Sequence, residues 1–267
     1  MKKLPQKENR LSTDFSRFRA SLHGILFSSK RGQIRHHKGA KNMTYVISDL
    51  HGHHRAFLDM LKLISFSEDD ILFLNGDIID GGEAPLRLLL DISYRTNVFP
   101  VLGDCEFRAR PILRALYAGG KPVGEEKVDE WLRMGGERTL REMEALPSEQ
   151  RRSVLDYLDD IPSFEAVTVN DVNHIMVHGG LSNFSSSRRL ESYSPEELIA
   201  ESSPFGRRYY KNSRILTGHI PTHRLDGARK GKIILSPFQI ALDCGAAEEI
   251  ALGCYCMESG KEFYVTL

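Results

Sequence analysis

From Met43 onward the chain alternates short apolar runs with stretches of helical spacing. Tyr45 to Ser48 reads as a buried strand, and His53 to Ile64 places Phe57, Leu58, Leu61 and Ile64 on one helix face. A second strand at Ile71 to Leu74 leads into a helix through Leu86, Leu89, Leu90 and Ile92. A third, Val98 to Leu102, leads into a helix around Ile112, Leu113 and Leu116. This β-α-β-α-β-α opening predicts parallel strands joined by right-handed crossovers.

Residues 121 to about 160 break the rhythm, being charged and helical with Trp131, Leu132, Leu140, Met143 and Leu146 as apolar anchors, and read as a helical insertion or cap. Strands then return. Phe164 to Val169 and Asn173 to Val177 pair as a hairpin across Asn170-Asp171. Further strands are expected at Arg214 to Leu216, Lys232 to Leu235, Gln239 to Leu242, Ile250 to Tyr255 and Phe263 to Thr266. The sum is an α/β fold: a two-sheet sandwich flanked by helices, with one helical insertion, over residues 43–267 of a 267-residue chain.

Residues 1–42 read differently. They hold eleven Lys or Arg against Glu8 and Asp14, a net charge of +9, with short apolar patches such as Gly24-Ile25-Leu26-Phe27. A basic arm for nucleic acid or anionic lipid and an organellar transit peptide both fit this composition. The more economical expectation is a disordered leader or a misassigned start, with translation beginning at Met43. Codons for Lys38-Gly39-Ala40-Lys41-Asn42 can spell a purine-rich element resembling a bacterial ribosome-binding site.

The whole chain has 36 basic and 36 acidic residues, so the remainder keeps 25 basic and 34 acidic ones, a net of −9. An acidic body argues against nucleic-acid binding and suits divalent cations. No apolar run approaches the roughly 18 residues of a membrane span, and no secretory cleavage pattern is present. The four cysteines, Cys105, Cys244, Cys254 and Cys256, lack C-x-x-C spacing and read as small buried hydrophobes of a reducing cytoplasm.

The chemistry lies at the strand ends. Successive strands finish in Ser48-Asp49-Leu50-His51-Gly52, Asn75-Gly76-Asp77-Ile78-Ile79-Asp80-Gly81-Gly82, Gly103-Asp104-Cys105-Glu106, His178-Gly179-Gly180 and Thr217-Gly218-His219. Any one such Asp is ordinarily a turn former or helix cap. Five strands each delivering a carboxylate or imidazole at the carboxyl end, where open α/β sheets bind ligands, argue for a site. Mixed oxygen and nitrogen ligands suit Mn, Fe or Zn better than Mg or Ca. Six candidate ligands exceed one tetrahedral ion and suggest a pair.

These blocks, in this order, resemble the calcineurin-like metallophosphoesterases, in the branch of bacterial serine/threonine protein phosphatases of the PPP type. That pattern reads G-D-x-H-G, G-D-x-x-D-R-G, G-N-H-E, H-G-G or H-A-G, and G-H-T-P. The resemblance runs from about Met43 to the C-terminus, including Leu242-Asp243-Cys244-Gly245. It implies that Asp49 and His51 bind a first metal, that Asp77 bridges, and that Asp104, His178 and His219 bind a second. It also implies a metal-bridging water or hydroxide as nucleophile on a phosphorylated small molecule or phosphoprotein.

The departures are specific. Asp104 replaces the asparagine of G-N-H-E, and Cys105 takes the position of the histidine that resembles a general acid. Asp80 keeps the second aspartate of its block and stands with Cys105 as a candidate catalytic residue, but Gly81 stands where a phosphate-clamping arginine is expected. Another family arginine aligns loosely near Ser202. A lost general acid is typically worth about 10²–10⁴-fold, so substrates with good leaving groups, aryl phosphates or phosphoanhydrides, should suffer least. His53, His54, Arg108, Arg110, Arg207 and Arg208 are cations that could compensate, each read first as a surface residue. Two expectations therefore stand: a metal-dependent phosphoesterase, or a metal-binding pseudophosphatase that holds a phosphorylated partner without turnover.

Overall fold

The computed structural model describes residues 35–36, 42–199, 204–225 and 229–267, within one compact unit, Gln33–Leu267. Most of the expected leader, and Ser202, lie outside the described residues. Arg35–His36 forms a short strand, β1.

Ten further strands follow: β2 Thr44–Ile47, β3 Ile71–Asn75, β4 Val98–Val101, β5 Glu165–Val169, β6 Val172–Met176, β7 Ser213–Thr217, β8 Ile234–Leu235, β9 Gln239–Ala241, β10 Ala251–Cys256 and β11 Glu262–Thr266. They build two mixed sheets, ordered β11-β10-β2-β3-β4 and β1-β5-β6-β7-β9-β8. The predicted β2, β3 and β4 are parallel, as are β6, β7 and β9, so both sheets point their carboxyl ends the same way along these runs. The β5–β6 hairpin turns at Asn170 (φ 49°) and Asp171 (φ 63°), left-handed positions that Asn and Asp tolerate.

Side-chain alternation decides the packing. Val46, Phe73 and Val101 from one sheet meet Val167, Val169, Met176, Leu216 and Ile240 from the other in a single apolar core. The opposite parity, Ile47, Leu72 and Leu74, is buried too, as expected of strands covered on both faces. Helices His54–Leu63 and Pro85–Ser93 bear the predicted apolar faces. The four cysteines are free and buried. Among the described residues no helix is long and apolar enough to cross a membrane.

Residues 121–160 are helical as predicted: Glu125–Trp131, a single π turn Leu132–Gly136 with Gly135 at φ 108°, then Glu137–Ala145 and Ser148–Asp160. The insertion clasps the loop after β3. Trp131 Nε1 donates to Asp80 Oδ2 (2.8 Å), Thr139 Oγ1 donates to Asp80 Oδ1 (2.6 Å), and the Gly81 amide donates to the Gly135 carbonyl (3.0 Å). Both Asp80 oxygens are thereby committed away from solvent, and the side chain is fully buried. Burial pushes its carboxyl up to about 7, against the two donors.

A second fixture is Glu106, in the first turn of helix Asp104–Tyr117. Its Oε1 accepts the amides of Ile78 (2.8 Å) and Ile79 (2.9 Å), and its Oε2 those of Gly103 (3.0 Å) and Asp77 (3.1 Å). One buried carboxylate thus satisfies four amides of two strand-end loops.

Two outcomes are expected. Glu106→Gln turns an amide donor toward two backbone donors, so urea unfolding should show a loss of about 2–4 kcal/mol; a change under about 0.5 kcal/mol would contradict this role. Asp80 has a folded pKa raised above its unfolded value, so its contribution is full below about pH 4 and is lost as pH rises through about 7. With chelator present, the Tm of the wild type should therefore fall more steeply between pH 4 and 7 than that of Asp80→Asn. The group's share is on the order of 4 kcal/mol, and parallel curves would refute the assignment.

Candidate metal centre

The six residues singled out as ligands converge. Asp104 Oδ1 lies 3.1 Å from His178 Nε2 and 3.0 Å from His219 Nδ1. Asp77 Oδ1 lies 3.3 Å from His178 Nε2, and Asp77 Oδ2 lies 3.6 Å from His51 Nε2. Asp49 accepts the His219 amide at Oδ1 (3.1 Å) and the Ser48 hydroxyl at Oδ2. Three overlapping sets, His51/Asp77/Cys105, Asp104/His178/His219 and Asp49/Asp77/His178, each bring their donor atoms within 4.8 Å of one another.

The backbone is bent to achieve this. Asp49, His51, Asp77 and His219 take φ of 54°, 41°, 50° and 67°, left-handed values that are uncommon for side-chain-bearing residues and that concentrate at functional sites. Close approach also demands glycine. A Cβ on Gly103 would lie 2.1 Å from the Asp77 amide nitrogen, and one on Gly218 would lie 2.1 Å from Asp49 Oδ2.

Electrostatics test whether cations fit. Burial, then repulsion from Asp243, raises the Asp49 carboxyl well above its ordinary value. Burial works the same way on Asp77, but His178 outweighs it and the carboxyl ends low. Asp104 is likewise driven low, because hydrogen bonds from His178 and His219 overcome its desolvation. His178 is raised, its burial outweighed by Asp77 and Asp104. The carboxylates gathered around His178 concentrate negative charge that divalent cations would neutralise. His178 Nδ1–H donates to the Asn75 carbonyl (2.9 Å), which fixes the tautomer that frees Nε2 for a metal. The donor set fits a pair of divalent cations.

Four contributors escaped the sequence reading. Asp243 ends β9 as the other acids end their strands, and that repetition was the available signal. Asn75 donates from Nδ2 to the carbonyls of Val177 and Leu216 (3.1 Å each), tying the two sheets together at the site. Glu106 holds the loops, and Ser48 orients Asp49. For Asn75 and for the Glu106 contacts to Asp77, Ile78 and Ile79, only tertiary structure supplies the partner.

The two candidate catalytic residues sit differently. Cys105 is buried with Sγ 4.0 Å from His51 Nδ1, and burial followed by Asp77 pushes its thiol well above the ordinary value. Asp80 faces Trp131 and Thr139 rather than the cluster. Of the compensating cations, only Arg108 reaches the site, through an ion pair with Asp104 Oδ2 (2.5 Å). His53 and His54 are buried rather than superficial, His53 against the Ala246 carbonyl (3.1 Å) and His54 against Asp91 (3.0 Å). Arg110 pairs with Asp159, and Arg207 and Arg208 lie over aromatic rings.

Known proteins resemble this chain to different degrees. A protein of Nitrosomonas europaea named bis(5'-nucleosyl)-tetraphosphatase, symmetrical, is 28% identical over 216 residues, spanning 79% of this chain and 72% of that protein. One of the same name from Wigglesworthia glossinidia brevipalpis is 39% identical over 84 residues, 31% of this chain and 29% of that protein. A solved structure described as a proposed diadenosine tetraphosphatase superposes with a TM-score of 0.59 at 17% identity, covering 87% of this chain and 96% of that one. A Saccharomyces cerevisiae protein serine/threonine phosphatase with similarity to human PP5 gives 0.57 at 13% identity, covering 94% and 89%. At such identities the two structures share the fold. Residues 44–243 match the family model described as calcineurin-like phosphoesterase, a span that includes every strand-end acid and histidine of the site. This chain belongs to the calcineurin-like phosphoesterase family.

Proposed function

We propose that the chain hydrolyses phosphoanhydrides of nucleotides, dinucleoside polyphosphates above all, with two divalent cations drawn from Mn, Fe and Zn. The observation that carries this reading is the pairing of a gathered ligand set with a thiol at the general-acid position. Bound cations of this kind polarise phosphoryl oxygens and acidify water. Asp49 and His51 would hold one, Asp104, His178 and His219 the other, with Asp77 between them.

The chain's own groups then define the substrate. Hydrolysis forms a bond from water oxygen to phosphorus and breaks the bond from phosphorus to the leaving oxygen. An alkyl alcohol leaves well only when an acid supplies its proton, and a buried thiol raised well above its ordinary value is a poor donor near neutrality. A phosphate leaves as a stable anion and needs no such proton. Curated relatives named for tetraphosphatase activity support the same choice. Asp77 and His219 keep their strained turns because Glu106 and Gly218 hold the backbone there. Arg108, fixed by Asp104, offers a guanidinium to a phosphate oxygen where Gly81 offers nothing.

Serine and threonine phosphoproteins are the second reading, disfavoured by the same missing acid. The reading as a pseudophosphatase gains no support from relatives named for hydrolysis. Asp80 is assigned to the loop rather than to the reacting phosphate. A cytoplasmic location belongs to this proposal, supported by four free, buried thiols.

Mn-dependent release of nucleotide from a bis(5'-nucleosyl) tetraphosphate is expected, and Asp77→Asn should lower kcat/KM at least about 10³-fold with the metal content of the purified protein reduced. Turnover unchanged in Asp77→Asn would place the activity elsewhere. Cys105→His should raise kcat on an alkyl phosphate by about 10-fold or more and on the anhydride by less than about 3-fold, in line with general-acid magnitudes. Equal gains on both substrates would remove the leaving-group argument.

A further inference from the structure

A cavity of about 340 Å³ opens beside Asp104, between helix Asp104–Tyr117, the start of the insertion and helix Pro195–Ile199. Phe107, Pro111, Val123 and Ile199 supply apolar wall, and Arg108 and Lys127 are the cations on it. Glu130 and Glu196 also face it. Its size is at the low end of the roughly 300–1,000 Å³ of small-ligand sites. That gives room for one ring system with its sugar.

Three features narrow the occupant. Asp104 belongs both to the cavity wall and to the metal cluster, so the cavity adjoins the cluster at that residue. Arg108 lines the cavity and is ion-paired to Asp104, which puts a cation on the wall beside the residue shared with the cluster, available to the phosphates of a bound polyphosphate chain. Beyond it, Phe107 offers a ring for stacking, while the Glu130 and Glu196 carboxylates can accept hydrogen bonds from sugar hydroxyls or an exocyclic amine. An aliphatic ester group would use the wall and leave the carboxylates unused. An inorganic polyphosphate would use the cations and leave the wall unused.

We infer that this cavity is the nucleoside subsite of the enzyme: it seats one base and ribose of the substrate, while Arg108 and Lys127 take the adjoining phosphates. The inference rests on the nucleotide anhydride reading and adds its specificity determinants.

The test compares Mn-loaded full-length wild type with two variants at exposed or half-buried wall positions, Val123→Asp and Lys127→Glu. Each is measured on bis(5'-adenosyl) tetraphosphate and on inorganic tripolyphosphate, with calorimetric binding of AMP as a readout independent of turnover. Val123→Asp should lower the ratio of kcat/KM for the dinucleotide to that for tripolyphosphate at least about tenfold, through KM, and weaken AMP binding by a similar factor. Lys127→Glu, a surface change that spares the core, should raise KM for the dinucleotide by at least about fivefold. Dinucleotide turnover with ratios and AMP affinity unmoved in both variants would overturn the subsite and leave the proposed function standing. Tripolyphosphate hydrolysis by a wild type that neither cleaves the dinucleotide nor binds AMP would overturn both.

Discussion

Three buried carboxylates, Asp49, Asp77 and Asp243, and the partly buried Asp104 act on one another at the carboxyl ends of the strands, and their repulsion constrains the groups around them. Like charges gathered out of water are tenable only with compensating positive charge. His178 is enclosed between Asp77 and Asp104 with its other nitrogen tied to Asn75. Divalent cations held by these donors would supply that charge, with His178 binding as the neutral imidazole. The left-handed turns at Asp49, His51, Asp77 and His219 lie where these side chains gather.

Holding such a cluster is a task for backbone amides more than for side-chain packing. Glu106 collects four amides from the loops after β3 and β4, so neither loop can drift without leaving donors unpaired. Burial, then Asp77, raises Glu106 to about 7, against the lowering effect of the Ile79 and Gly103 amides. Asn75 does the corresponding work between sheets. The insertion completes the frame, reaching Asp80 and Gly81 through Trp131, Thr139 and Gly135, and its leading segment lines the cavity beside Asp104.

The altered motif positions fit one chemical logic. Under the proposed function, a thiol at Cys105 and no side chain at Gly81, where the resemblance implies an imidazole and a guanidinium, would weaken hydrolysis for alcohols, whose departure requires protonation, and much less for phosphates. Arg108, ion-paired to Asp104, restores a cation at the cluster from a different backbone position. Gly81 itself has φ 79° and its amide is clasped by Gly135. The insertion therefore holds by backbone the place where the family pattern carries a side chain.

The sequence by itself determined the strand-and-helix order, the parallel opening, the helical character of 121–160 and six of the residues at the site. It could do so because periodicity, glycine-flanked turns and the repetition of Asp or His after each strand are local signals. It did not reveal Asn75 as a bridge, Glu106 as a collector of amides, Asp80 as the anchor of Trp131, or the burial of His53 and His54. Each of those roles depends on partners 27 to 193 residues away, which no local pattern encodes. Tertiary structure also decided that one arginine of the several near the motifs reaches the cluster, because a long flexible cation acquires its role from whichever carboxylate lies within its reach.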